Sequence, residues 1–60
     1  MTNMKQSELN HIREVAAAHL TVASKLSTYA DQVQDAQIKQ MFSQASTKAK
    51  QGAQNLIQML

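Results

Sequence analysis

Sixty residues allow one small domain, and at roughly 1.5 kcal/mol per residue its ordering costs about 90 kcal/mol, which burial must offset. A chain this short is marginal alone and is usually reinforced by disulfides, a metal or oligomerisation. There is no Cys, so disulfides and thiolate metal sites are excluded and oligomerisation is the expected reinforcement. The net charge of +2 is uneven: residues 35–60 hold Lys39, Lys48 and Lys50 against Asp35 alone. That excess is too small to imply nucleic acid or a membrane by itself. No stretch is apolar for long enough to span a bilayer, and the start of the chain lacks the apolar run of a signal peptide. The expectation is a soluble protein made in the cytoplasm.

The first predicted element is a helix over about residues 4–33. Asn3 or Ser7 is the expected N-cap, with Gln6 three residues after Asn3 completing a capping-box pattern. Leu9, Ile12, Ala16, His19, Ala23, Leu26, Ala30 and Val33 repeat at alternating spacings of three and four, the period of a packed helical seam. Val15, Val22 and Tyr29 run beside that seam every seven residues, and Leu20 flanks its other side.

Gln34–Asp35 is the predicted turn, with Asp35 as N-cap of a second helix over about residues 36–59. So short a connection makes the helices antiparallel. The second seam is Ile38, Phe42, Ala45, Ala49, Gly52, Leu56 and Met59, widened by Met41, Ala53, Ile57 and Leu60. In an antiparallel hairpin, facing residue numbers have a nearly constant sum. Pairing Val33 with Ile38, Ala30 with Phe42, Leu26 with Ala45, Ala23 with Ala49, His19 with Gly52, Ala16 with Leu56 and Ile12 with Met59 gives 71 or 72 every time. Four of these layers set a large residue against a small one, as jigsaw packing requires.

The apolar stripe is wider than a two-stranded seam needs, and wide stripes belong to bundle cores. Two hairpins pairing would bury it, so the predicted architecture is all-α: an antiparallel hairpin that dimerises into a four-helix bundle. A lone hairpin with a sticky flank is the alternative.

Residues capable of chemistry are few. His19 is the only polar residue on the first seam and faces Gly52; it reads as a packed, neutral imidazole rather than a metal ligand. Glu8 and His11 form an E-x-x-H pattern, which di-iron bundles use, but residues 38–60 contain no carboxylate to complete such a site. No Gly-rich loop and no core His–carboxylate pair point to catalysis. Lys39, Lys48 and Lys50 share one helix, yet Tyr29 and Phe42 are committed to packing and leave no stacking platform for nucleic acid. The outer face is rich in amides: Gln32, Gln37, Gln40, Gln44, Gln51, Gln54 and Gln58. Charged residues are only 17% of the chain, so self-repulsion is weak, which suits a protein that assembles with others.

The runs Glu8–Val15, His19–Thr21, Lys25–Ala30, Gln34–Asp35 and Ile38–Phe42 resemble the short helical proteins of spore-forming bacteria related to spore coat protein F. That resemblance spans roughly Ser7 to Leu60. It implies a ferritin-like four-helix bundle, half of it supplied by this chain, with no catalytic residues and no metal ligands carried over. It also implies a non-enzymatic structural component of the spore coat, without cofactor, whose partners are a second copy and other coat proteins. A small RNA-binding regulatory dimer, similar in layout to plasmid copy-number modulators, is the alternative function, with Asn10 and Lys25 on its contact face. A metal-storage or redox protein is a third class, which bound iron would reveal.

Overall fold

The computed structural model describes residues 5–60. Two helices, α1 (Gln6–Gln32) and α2 (Ala36–Ile57), pack against each other as a hairpin. Ala, Gln, Lys and Leu favour helix throughout, and no Pro interrupts either run. The hairpin is a slim rod with principal extents of 47 × 14 × 9 Å.

Each helix end has a local cause. At the start of α1 the cap differs from the expectation. Lys5 is the extended N-cap residue, and its backbone N–H donates to the Glu8 carboxylate at 3.0 Å. Ser7 lies inside the first turn, and Asn3 falls outside the described residues. An acid three residues into a helix meets an otherwise unpaired N–H and the positive end of the dipole together. α1 stops at Val33, whose extended backbone turns the chain while its N–H still donates to the Tyr29 carbonyl at 3.1 Å. The connection is thus Val33–Asp35, one residue longer than the predicted turn. Asp35 caps α2, its Oδ1 accepting from Gln37 N–H at 2.9 Å and Ile38 N–H at 3.1 Å.

The buried residues are all small: Ala16, Ala23, Ala30 and Ala53. Alanines on both walls let the helix axes approach closely. On α1 the buried alanines recur every seven residues along the expected seam. On α2 the expected seam residues Phe42, Ala45, Ala49, Gly52 and Leu56 are half-buried, and the most buried position is the flanking Ala53. Ala53 is 0% exposed, Ser46 and Leu60 are half-buried, and Ile38 and Met59 are 44% and 46% exposed. The two helices need not face each other along the centre of each apolar stripe. Here α2 turns the line Ser46–Ala49–Ala53–Leu56 toward α1, keeps Ala45 and Gly52 half-buried at its edge, and leaves Ile38, Met41 and Met59 exposed.

Two polar contacts join the helices, and both end on α1 carbonyls. Ser46 Oγ donates to the Ala23 carbonyl at 2.7 Å. Lys39 Nζ donates to the Ala30 carbonyl at 2.8 Å. The second places a cation in the last turn of α1, where the dipole is negative.

Candidate functional site

The more apolar of two surface depressions is a groove along one face of the hairpin. Its α1 wall is Ala18, His19, Val22 and Leu26, and its α2 wall is Ala45, Lys48, Ala49 and Gly52. The groove is open to solvent and offers about 520 Å³. Its depth has a direct cause in the sequence: α2 offers only Ala, Ala and Gly where α1 offers Val and Leu.

Large apolar side chains continue this face at both ends. Val15 and Tyr29 extend the row of Val22 one heptad each way, and all three are close to half-exposed. Toward the turn, Tyr29 packs on Phe42 with ring centroids 6.2 Å apart and planes tilted by 56°. Ile38 and Met41 lie beyond, and Met41 at 62% is the most exposed large hydrophobic among the described residues. Leu9, Ile12, Leu26, Val33, Phe42, Ala45, Ala49 and Leu56 are half-buried between the helices. The residues read as one stripe therefore divide in two: a line that closes the hairpin and a flank that the hairpin leaves uncovered. Leu20 and Ile57 are also exposed, on the opposite flank of each helix.

His19 stands in the groove wall, half-buried, with Nδ1 2.9 Å from the Val15 carbonyl oxygen. It does face Gly52: a Cβ there would come within 3.1 Å of His19 Cδ2 and 3.6 Å of Nε2. No group of three or more His, Cys, Asp or Glu able to hold a metal occurs among the described residues. Glu8, half of the E-x-x-H pattern, is spent on the α1 cap, and His11 is exposed.

The three lysines of α2 do not form one patch. Lys39 is committed to the α1 terminus, and Lys48 borders the groove. Along the outside of α2 runs a shallow polar strip of Gln40, Ser43, Gln44, Thr47, Lys48 and Gln51. None of these glutamines makes a side-chain hydrogen bond to another described residue, so each keeps both donor and acceptor available. Ser46 and Lys39 are the residues that sequence reasoning missed as structural contacts. For Ser46 the available signal was a hydroxyl beside the seam residue Ala45; for Lys39 there was none, since only the path of the turn brings it to the Ala30 carbonyl.

Neither helix is long and apolar enough to cross a membrane. Comparison with known protein families, characterised proteins and solved structures finds no match.

Proposed function

We propose that the chain is a non-enzymatic assembly component that works as a homodimeric four-helix bundle, joined through the apolar groove face. The observation that carries this reading is the area left uncovered. The hairpin exposes 4696 Å², whereas a compact protein of 6.6 kDa exposes about 3,900 Å². The excess, about 800 Å², matches what one partner contributes to a standard interface. Folding alone buries about half of the roughly 9,600 Å² an unfolded chain of this mass exposes; covering the excess brings the fraction to the ~60% usual at this length.

A second copy is the simplest occupant. A self-complementary face needs ridges and hollows of similar size, and this one supplies both: Val22 and Leu26 on one wall, Ala45, Ala49 and Gly52 on the other. The low-charge amide strip on the outside of α2 then remains available for contacts between dimers. The resemblance to coat protein F-type helical proteins supports the spore coat as the place where such a bundle is used, with other coat proteins as neighbours.

Sedimentation equilibrium at micromolar concentration tests the dimer. The expected mass is about 13 kDa, twice the chain mass. A folded 6.6 kDa species throughout the range would sink the proposal. Detection of the chain in coat extracts of purified spores, and its absence from vegetative cells, tests the location.

A further inference from the structure

The groove wall contains one imidazole, and neither wall brings it a carboxylate. A carbonyl oxygen can only accept, so the 2.9 Å contact to Val15 assigns the proton of the neutral ring to His19 Nδ1 and the lone pair to Nε2. The Cδ2–Nε2 edge lies over the bare backbone of Gly52. α2 is the only other helix packed on this ring, and the only titratable group it brings to the groove is Lys48, a second cation. From α1 the groove is lined by Ala18, Val22 and Leu26 besides His19 itself. No carboxylate lines either wall, and α2 contains none from Ala36 to Ile57.

We propose that His19 is a proton switch for assembly: the neutral ring allows a second copy to cover the groove, and the protonated ring forbids it. The inference rests on the homodimer reading and names its regulation. Covering a protonated His19 would bury a second cation beside Lys48 on a face whose own walls carry no carboxylate, and such a charge is costly unless paired. Covering the neutral ring buries an apolar edge, one satisfied N–H and one weak acceptor. The sign follows from linkage. The free chain binds protons more readily than the dimer, so acid favours separation. Assembly is complete above the range in which imidazoles titrate and is lost as pH falls through it. Each dimer holds two such rings, so Kd rises by up to about 100-fold per pH unit in the acid limb.

The test is the dimer Kd by sedimentation equilibrium at about pH 7.5 and about pH 5.5, on either side of the ordinary imidazole value. The intact chain and His11→Gln should both weaken by about tenfold or more at the lower pH. His19→Gln, neutral at both, should keep one Kd. An unchanged Kd in the intact chain, or an equal acid loss in His19→Gln, overturns the switch while leaving the dimer standing. A monomer already at the higher pH overturns the dimer reading itself. Should His19→Gln fail to fold, His19→Leu, which carries no ionisable group, is the second variant: it too should keep one Kd at both pH values, and an acid loss equal to the intact chain's overturns the switch.

Discussion

Gly52 shows how closely single atoms matter in a rod this thin. Alanine there would gain up to about 1 kcal/mol of helix propensity, but its Cβ would sit 3.1 Å from His19 Cδ2. The imidazole would have to shift by a few tenths of an ångström, straining its bond to the Val15 carbonyl. Urea denaturation of Gly52→Ala should therefore show little net change, within about 0.5 kcal/mol of the parent. Ala53 has no such slack, being fully buried against α1. Ala53→Leu and Ala23→Leu should each cost about 1–3 kcal/mol through overpacking. Unchanged denaturation midpoints for both would mean that the alanine line is not the helix–helix contact. Ala23 is readable as a seam residue because it repeats with Ala16 and Ala30. The full burial of Ala53 is not, because spacing alone does not separate it from its neighbour Gly52.

The helices depend on their ends, since few large side chains are buried between them. Asp35 accepts two backbone N–H groups of α2, and its residue type and its place between two periodic runs make that cap legible in the sequence. Asp35→Ala should destabilise the fold by about 1 kcal/mol, with a loss of helicity measured by circular dichroism on warming. The far end of α1 relies on Lys39, which reaches back over the turn to the Ala30 carbonyl. Lys39→Met keeps the aliphatic stem but removes the donor and the charge, and should cost about 0.5–1.5 kcal/mol in chemical denaturation. A stability equal to the parent's would show that water replaces the ammonium at no loss. This contact is invisible in the sequence. Lys39 lies nine residues from its acceptor, and only the path of the turn brings them together. The α1 cap escapes a reading by residue type for a related reason: Ser and Asn are the usual caps, but here the Glu8 side chain holds the Lys5 N–H instead.

At the level of the whole molecule, the hairpin is held by a narrow alanine contact and flanked by a wider apolar face. In the proposed dimer each hairpin would gain surface burial from its partner, which would make folding and pairing mutually dependent. The melting temperature should therefore rise with protein concentration, as mass action requires when association stabilises the folded state. Val22→Asp places a carboxylate in the middle of the groove face without touching the alanine line. It should abolish the dimer in sedimentation equilibrium and remove the concentration dependence of melting. A dimer that survives this change must use another face, and the exposed Leu20–Ile57 side would be next to test.

The sequence by itself determined two helices, their antiparallel turn at Asp35 and the pairing of His19 with Gly52. Each of these depends on local propensity or on a seven-residue period that backbone geometry enforces. It also determined that more apolar surface exists than two helices can cover. The tertiary structure alone decided which part of that surface closes the hairpin and which part stays open. α2 turns its Ser46–Ala53 line inward, where Ser46 also donates to the Ala23 carbonyl, and Ile38, Met41 and Met59 remain outside. A rotation of a helix about its own axis leaves its periodicity unchanged, and only packing against the neighbouring helix selects one rotation over another.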